Sequence, residues 1–324
     1  MNTLKEHIKS NKFSPVYLLY GEEDYLRKMY RDNLRMGIIG EDLTMNYSYY
    51  EGKNIDVTQV IDTARTLPFF SERRLIIIEN SDFFDVANPL ADSLASFPET
   101  TYIIFVQEKV DKRTKLYKQI NKLGIVSEFK ELSEKNLIIW VASQLKKDRK
   151  KITEQTVRYL LDKTGPSMVN LQNEIEKLVC YALDREVITK EDIDAVCVEQ
   201  TEGKIFQMID AIAEKDKDTA LNYYYDLLEL KESPMSILFL LSRHFKILIQ
   251  VKDLSKLSFS NSDIGKKVGV NPYFVGKYIT QARKLSMDRL KHNLDLCNET
   301  DADIKRGNQT DQLGVEILIV KFTS

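Results

Sequence analysis

The chain has 324 residues, of which 43% are hydrophobic and 30% are charged, a composition typical of globular proteins. This length allows two or three domains, and the net charge of −2 argues against a protein that coats nucleic acid through bulk positive charge. Only a local basic patch is compatible with contact to nucleic acid.

Cysteine usage and the N-terminal sequence bear on the compartment. The chain has 3 cysteines, Cys180, Cys197 and Cys297, without CxxC spacing. We expect them to be small core residues in a reducing cytoplasm rather than disulfide or zinc ligands. The first twenty residues show no signal-peptide pattern, and no run approaches the roughly 18 apolar residues of a membrane helix. The sequence therefore predicts a cytoplasmic protein with no membrane partner.

Up to about residue 130, short β-rich runs alternate with helical patterns. Segments 24–36, 57–67 and 114–123 are expected helices, and the second is the clearest because its apolar residues share one helical face. The alternation predicts a parallel sheet covered by helices. The expected strands are VYLLYG (16–21), MNYSYYEG (45–52), RLIIIEN (74–80), TYIIFVQ (101–107) and IVSEF (125–129).

From Ser133 onward the pattern is helical only. Four segments predict a small bundle, in which Ser133 is the N-cap of the first helix and Gly165 ends the second. These segments are 133–148, 152–165, 167–183 and 187–200. A joint is expected at residues 201–203, after which six further helices are expected. These are 205–216, 219–230, 234–251, 271–285, 286–305 and 311–322.

The first expected strand is followed by GEEDYLRKMY, at the position where P-loop proteins hold nucleotide phosphates. A P-loop has the spacing GxxxxGK[ST], because glycines let backbone amides wrap the phosphates and the lysine neutralises them. Counting from Gly21, the second glycine is replaced by Leu26 and the lysine by Arg27. The acidic residues 22–24 also place negative charge where phosphates would lie. This chemistry opposes ATP binding.

The other patterns do not indicate catalysis. The third strand ends in Glu79 and Asn80, where such folds hold a carboxylate pair for magnesium and water. A single carboxylate favours a polar strand end over a metal ligand. His7, His244 and His292 are scattered, and His244, within an apolar helix, is expected to be a helix-packing or a surface histidine rather than a general base. No GxSxG, HExxH or EF-hand pattern occurs, so we expect no catalytic residue, cofactor or metal.

Five segments, taken together and in order, resemble those of a known protein family. They are YLLYGEEDYL (17–26), LPFFSERRLIIIEN (67–80), TYIIFVQEKVDKRTKLYKQI (101–120), GPSMVNLQNEIEKL (165–178) and DADIKRGNQTDQLGVEILI (301–319). In this order they resemble the delta subunit of the bacterial DNA polymerase III clamp loader. The resemblance extends over all three predicted units and is therefore more specific than any single motif.

The resemblance implies both a fold and a role. The fold is an AAA+ type, P-loop NTPase-like α/β domain at 1–132, a helical lid domain at 133–202 and an all-α collar domain for oligomerisation at 203–324. A delta subunit binds no ATP and is not an enzyme, and the polymerase activity of the holoenzyme resides in other subunits. AAA+ ATPases that resemble this chain carry a phosphate-sensing arginine about three residues after a lid glycine, and after Gly165 that position holds Met168.

The resemblance also implies partners. They are the β sliding clamp, the clamp-loader ATPase subunits (gamma/tau), the delta prime subunit and primed DNA within the assembled loader. The related delta prime and ATPase subunits carry a Ser-Arg-Cys finger and a four-cysteine zinc module, which this sequence lacks. Their absence favours the delta subunit over its relatives.

The segment RTLPFFSERRLIIIEN (65–80) places two phenylalanines beside a proline and among polar residues. A helix must stop before Pro68, so Phe69 and Phe70 begin a non-helical turn. Phenylalanine is usually a core residue, and that reading applies to at least one of the pair on base rates. The delta family presents two adjacent apolar residues here to a hydrophobic pocket of the clamp, through one or both rings.

Carried over to this sequence, the clamp-binding residues are Leu67, Pro68, Phe69 and Phe70. Leu67 and Pro68 shape the turn and the two aromatic rings act as anchors, as in many interfaces. Arg73 and Arg74 flank the turn, either as a polar rim or, for Arg74, as the first residue of the strand.

The function of the basic clusters can be interpreted in two ways. The cluster after the fourth strand is by default a solvated helix face, and the alternative is contact with DNA phosphates in the assembled loader. The candidate DNA-facing residues are Lys109, Lys112, Arg113 and Lys115. The run KKDRKK (146–151) has the same two readings. SDIGKKVGVNPYFVGKYITQ (262–281) has helix-turn-helix spacing, but its apolar residues fit packing between helices better than reading of a DNA groove, and we interpret it as an assembly surface.

These observations predict a non-catalytic clamp-loader subunit that binds the sliding clamp and helps to open it for loading during DNA replication. Two alternatives remain open at this point. One is an active ATPase with an unusual cradle, and the other is a catalytically inactive AAA+ scaffold or DNA-binding subunit unrelated to clamps.

Overall fold

A computed structural model describes residues 2–41, 45–257 and 259–324, without the side chain of Asn2. The chain divides into two units, Met1–Glu131 and Leu132–Ser324. The first unit contains a sheet with helices, and the second is built from helices.

All five predicted strands of the first unit are present, and each is within two residues of its predicted ends. They are β1 Val16–Tyr20, β2 Tyr47–Glu51, β3 Arg74–Glu79, β4 Thr101–Gln107 and β5 Ile125–Glu128. The helices are α1 Asn2–Ser10, α2 Asp24–Ile39, α3 Val57–Arg65, α4 Leu90–Ser93 and α5 Lys115–Leu123, with a short 3-10 helix at Leu94–Ser96.

The strands form one parallel sheet in the order β2-β3-β4-β1-β5. β1 and β3 are buried along their whole length, which explains their nearly continuous apolar sequences. Leu18, Ile78 and Phe105 belong to the core formed with α3, α4 and α5, and α2 packs on β1, β3 and β4. The predicted parallel sheet covered by helices is confirmed.

Helix α3 ends two residues before its predicted end. Thr66 is already extended, with ψ 126°, and its hydroxyl donates to the carbonyl of Asp62 at 2.9 Å. The helix cannot extend through Leu67, because Pro68 disfavours the helical conformation of the residue before it. The sequence did not predict α1 and α4, and α4 has only four residues, which are too few to show an apolar period.

The second unit begins with four helices. They are α6 Glu134–Lys147, α7 Glu154–Thr164, α8 Met168–Ala182 and α9 Lys190–Val196. Ser133 caps α6 by accepting from the amide of Asn136, and Gly165 ends α7 at φ 76°, as predicted. The expectation of three core cysteines is wrong for Cys180, which is exposed on α8, while Cys197 and Cys297 are buried.

Seven further helices follow in the described residues of the second unit. They are α10 Thr201–Glu214, α11 Lys217–Glu229, α12 Pro234–Leu254, α13 Asn261–Val268, α14 Pro272–Lys284, α15 Met287–Lys305 and α16 Asp311–Thr323, with a 3-10 helix at Ser255–Leu257. Residues 201–203, where a joint between units is expected, form the first turn of α10. Burial of Ile205, Phe206 and Ile209 stabilises that helix despite a glycine in its first turn. The division into lid and collar at residues 202 and 203 stays a prediction.

Helix α12 is a core helix. Among the described residues, the segment Pro234–Leu257 alone is long and apolar enough to cross a membrane by length and composition, which by itself is weak support for a span. Its residues Ile237, Leu241, Phe245 and Leu248 are fully buried among the other helices. The apolar composition is explained by this packing.

Candidate functional site

The turn between α3 and β3 presents apolar side chains to solvent. Leu67 is 66% exposed, Phe69 is 55% exposed and Phe70 is 95% exposed, with Pro68 between them partly buried. The two phenyl rings meet edge to face, with centroids 4.4 Å apart. The structure therefore directs both rings outward and Phe70 almost entirely so, and neither is a core residue of the isolated chain.

The backbone of this turn is held by side chains. Asn46, which is only 1% exposed, accepts a hydrogen bond from the amide of Phe69 at 2.7 Å and donates one to the carbonyl of Phe69 at 2.9 Å. Arg74 donates to the carbonyl of Leu67 at 3.3 Å. Asn46 was not recognised in the sequence, where it belonged only to an expected strand, and an asparagine just before a strand has no distinctive signal.

Arg73 and Arg74, which follow the turn, contact the body of the first unit and do not form a polar rim around the exposed rings. Arg74 is buried as the first residue of β3, so the prediction that it opens the strand is confirmed. The guanidinium of Arg73 donates to the carbonyl of Gly37 at 3.3 Å and lies over the rings of Phe13 and Tyr102, at 5.3 and 5.9 Å from their centroids. These contacts fix the base of the turn to the rest of the unit.

The position of a nucleotide cradle is occupied by the protein itself. Gly21 adopts φ 128°, and a Cβ at this position would lie 2.1 Å from the carbonyl oxygen of Phe129. The carboxylate of Glu23 caps α2 by accepting from the amide of Tyr25 at 3.3 Å, at the helix end that would otherwise bind a phosphate. Burial raises the pKa of Glu23 to about 7, against the lowering effect of the Tyr25 amide.

Arg27, at the position of the P-loop lysine, has a structural role. Arg27 is buried and pairs with Asp24 at 3.0 Å, and Lys28 pairs with the same carboxylate at 2.8 Å. Both cations are thus paired within α2 with a single carboxylate. Met168, at the sensor position of the second unit, is buried in its core.

Glu79 at the end of β3 is an internal ion-pair partner. It is 2% exposed, accepts a hydrogen bond from Arg31 at 2.5 Å and accepts another from the hydroxyl of Tyr49 at 3.1 Å. Burial and the nearby carboxylates raise the pKa of Tyr49. Although burial alone would lower it, the bonds to Asp32 and Glu79 raise the pKa of Arg31. The structural interpretation of Glu79 as a polar strand end is confirmed.

Four exposed cations follow β4, at the carboxyl end of the sheet. They are Lys109, Lys112, Arg113 and Lys115, and their ion-pair partners are, in the same order, Glu108, Glu128, Asp111 and Asp92. Hydrogen bonds from Arg113 lower the pKa of Asp111 to about 2. Exposed pairs of this kind are weak, so these cations can exchange their carboxylate partners for phosphates.

The remaining predicted basic and aromatic residues have structural contacts. In the run 146–151, Lys150 is buried and donates to the carbonyls of Leu183 and Arg185. The helix-turn-helix spacing corresponds to α13 and α14, and Tyr278 of α14 is buried against Phe206, as the packing interpretation expected.

His244 is likewise a packing residue in the second unit. It is buried, its Nε2 lies 2.7 Å from Oε1 of Gln281, and burial lowers its pKa to about 4. The neutral ring therefore stays within the core near pH 7, and of the two expected placements of His244, helix packing and the surface, the structure shows helix packing.

The parallel sheet with β1 between β4 and β5, followed in the described residues of the second unit mainly by helices, defines an α/β protein with a carboxylate, Glu23, at the position where a P-loop would bind phosphate. A family model described as the DNA polymerase III delta subunit matches residues 17–130, and a model of the C-terminal domain of that subunit matches residues 202–322. The chain belongs to the family of DNA polymerase III delta subunits, which are components of the clamp loader.

Individual relatives agree with this family. The chain is 28% identical to the DNA polymerase III subunit delta of Bacillus subtilis, over 97% of this chain and 94% of the relative. It is 22% identical to a probable DNA polymerase III subunit delta of Aquifex aeolicus, over 89% of this chain and 85% of the relative. The solved structure of the Bacillus subtilis DNA clamp loader delta protein is similar with a TM-score of 0.81 and 27% identity, covering 99% of each chain.

Proposed function

We propose that this chain binds the β sliding clamp through the turn at residues 67–70 and helps to open the clamp for loading onto primed DNA. The observation that carries the proposal is the 95% exposed ring of Phe70 beside the exposed Phe69 and Leu67. Such an apolar cluster costs solubility in the free protein, which is a reason to expect a partner that covers it.

Aromatic side chains of this kind are suited to act as anchors. Each buries on the order of 150–250 Å² in an interface, and truncation of an anchor costs about 2 kcal/mol or more. Opening of the clamp then follows if the bound turn favours the open state of one clamp interface over the closed state, since a ligand shifts an equilibrium only by its differential affinity.

ATP is proposed to act on this subunit only indirectly. The Glu23 carboxylate at the start of α2 and the Arg27–Asp24 pair support the absence of nucleotide binding by this chain. In the assembled loader, the ATPase subunits would change the exposure of the turn by rearranging the complex. No catalytic residue is assigned to this chain.

The last helix is the proposed contact with the gamma/tau and delta prime subunits in the cytoplasm. α16 exposes Leu313, Ile317 and Val320, which follow each other at helical spacing on one face, opposite to the buried Leu318 and Phe322. A helix that is apolar on both sides is expected to pack against a neighbour on its second side as well.

Contact with DNA is the role proposed for the four cations after β4, Lys109, Lys112, Arg113 and Lys115. Their exposure at the carboxyl end of the sheet supports this role, and each phosphate contact makes affinity fall with salt by a slope of about 0.9 for duplex DNA. Replacement of all four by alanine would reduce the salt slope of the assembled loader on primed DNA.

The test of the proposed function titrates the purified chain with the sliding clamp, and separately with ATP and primed DNA. The double variant Phe69→Ala/Phe70→Ala is expected to lose clamp affinity by on the order of 10²- to 10³-fold, because two anchors are removed. Phe239→Ala is the matched control, since Phe239 is an exposed phenylalanine of the second unit and its loss should leave clamp binding unchanged.

Other outcomes would favour the alternatives. Salt-dependent DNA binding without clamp affinity would indicate an inactive AAA+ scaffold or DNA-binding subunit unrelated to clamps. Measurable ATP binding would indicate an active cradle. Clamp binding that survives the double substitution would place the contact elsewhere on the chain.

A further inference from the structure

The conformation of the clamp-binding turn, defined as residues 67–70, is held by side chains rather than by hydrogen bonds within its backbone. Among the described residues, no backbone-to-backbone hydrogen bond involves residues 67–73. The nearest such bonds are those of Thr66 with Thr63 and of Arg74 with Thr100, on either side of the turn. Its conformation therefore depends on hydrogen bonds from side chains.

Asn46 supplies the paired bonds at the centre of the turn. Its side-chain amide binds both the amide and the carbonyl of Phe69, at 2.7 and 2.9 Å, as a neighbouring strand would do. Both distances are those of good hydrogen bonds. Because the amide group uses a donor and an acceptor at once, no isosteric residue that ionises or lacks one of these groups can reproduce the pair at neutral pH.

Asn46 is itself fixed by the sheet. It directly precedes β2, its side chain is buried, and its backbone carbonyl accepts from the amide of Leu75 in β3 at 2.8 Å. The side chain therefore connects the exposed turn to two strands of the sheet. This link gives the turn the rigidity that its own backbone lacks.

The conformation that is held is an unfavourable one. Phe70 adopts φ 51°, in the left-handed region that residues other than glycine, asparagine and aspartate rarely occupy. An unsupported turn would leave this region for more favourable conformations. Residues held in such regions persist when surrounding contacts determine them, and they concentrate at functional sites.

We propose that Asn46 is the positioning residue of the clamp-binding turn, which it holds in the binding-competent conformation before the clamp arrives. The inference rests on the proposed function, since it concerns how the same turn is prepared. Asn46 makes no contact with the clamp in this account and acts through Phe69 and Phe70. Its removal reduces the fraction of molecules that are ready to bind, and apparent affinity falls in proportion to that fraction.

This mechanism has a kinetic signature. Loss of Asn46 lowers the association rate constant, because fewer molecules carry the competent turn, and changes the dissociation rate constant less. Loss of the Phe70 ring acts in the opposite way, since an anchor removed from the interface chiefly raises the dissociation rate constant. A role of Asn46 confined to overall stability would change neither rate constant at temperatures well below unfolding.

The experiment measures clamp binding kinetics of the full chain with Asn46→Ala, Asn46→Asp and, as control, Ser71→Ala. Among the described residues, the hydroxyl of Ser71 bonds only the backbone of Arg73, at 3.4 and 3.5 Å and outside residues 67–70, so its loss should leave both rate constants unchanged. Asn46→Ala is expected to slow association about tenfold. Hydrogen exchange of the Phe69 amide, which Asn46 protects in the wild-type chain, is expected to accelerate in the same variant.

Asn46→Asp separates positioning from folding. Ionised aspartate accepts from the Phe69 amide but repels its carbonyl, whereas protonated aspartic acid can donate to that carbonyl as asparagine does. Because residue 46 is only 1% exposed, burial is expected to raise the pKa of an aspartate there above its usual value of about 3.9. The association rate relative to wild type should therefore recover as the pH is lowered from 7.5 to 5. Unchanged association for Asn46→Ala, or an aspartate variant without pH-dependent recovery, would overturn the inference.

The proposed function can fail separately from this inference. If Phe69→Ala/Phe70→Ala binds the clamp like wild type, the turn is not the binding site and the proposed function fails. If that double variant loses binding while Asn46→Ala retains normal association, the proposed function stands and only the positioning role is wrong.

Discussion

Substitution of Phe70 by glycine and by alanine separates the side chain of the turn from its backbone. The ring is 95% exposed, so removing it uncovers no core and costs the free chain only its edge-to-face contact with Phe69, about 0.5 kcal/mol at an exposed site. That loss is common to both variants. The two variants differ in the conformational free energy of the backbone at residue 70, because φ 51° is unfavourable for alanine and allowed for glycine.

The expected difference follows from these terms. Phe70→Gly should be more stable than Phe70→Ala by about 1 kcal/mol, because only glycine relieves the left-handed conformation. Both variants should lose clamp affinity equally, by at least about thirtyfold for a lost anchor of about 2 kcal/mol. The same residue would thus reduce the stability of the fold and strengthen the complex.

Two measurements on the same protein preparations test this prediction. Urea denaturation gives the free energy of unfolding of each variant, and surface-immobilised sliding clamp gives its affinity. An alanine variant as stable as the glycine variant would refute the strained conformation. Wild-type affinity in either variant would refute Phe70 as an anchor.

Three further predictions concern the cradle, the strand end and the core of the second unit. Arg31→Ala leaves the buried Glu79 carboxylate without its cation and should lower the free energy of unfolding by about 2–3 kcal/mol in urea denaturation; unchanged stability would contradict the buried pair. Burial raises the pKa of Glu23 from 4.5 to about 7, so its protonated form stabilises the fold below pH 4.5 and this contribution is lost as the pH rises through 7. Glu23→Gln should accordingly raise the thermal midpoint relative to wild type at pH 8 and not at pH 4.5, and equal differences at both pH values would contradict it. Burial lowers the pKa of His244 from 6.5 to about 4, so its contribution is complete above pH 6.5 and is lost as the pH falls toward 4, a slope that calorimetry should find reduced in His244→Gln.

The sequence was sufficient for the fold because its local patterns agree with the tertiary structure. Apolar runs such as residues 75–78 could form only strands buried on both faces, and the period of 57–65 matched one helical face. The expectation of three core cysteines failed at Cys180, which is exposed on α8, because a cysteine alone does not specify which face of a helix it occupies.

Parts of the candidate site were accessible from the sequence and parts were not. Pro68 fixed the end of a helix, and acidic residues at the cradle position, including Glu23, identified chemistry that opposes phosphate. The Asn46–Phe69 bonds join residues 23 positions apart, and the Arg31–Glu79 pair joins residues 48 apart. Contacts of this kind depend on strand register and side-chain direction, which no local pattern specifies.

The most direct test of the account is the affinity of the isolated chain for the sliding clamp, measured with and without ATP in wild type and in Phe69→Ala/Phe70→Ala. Wild-type affinity is expected to be the same with and without ATP, and the double variant is expected to lose clamp affinity under both conditions. A change of wild-type affinity on addition of ATP, or binding retained by the double variant, would contradict the claim that the turn binds the clamp independently of ATP.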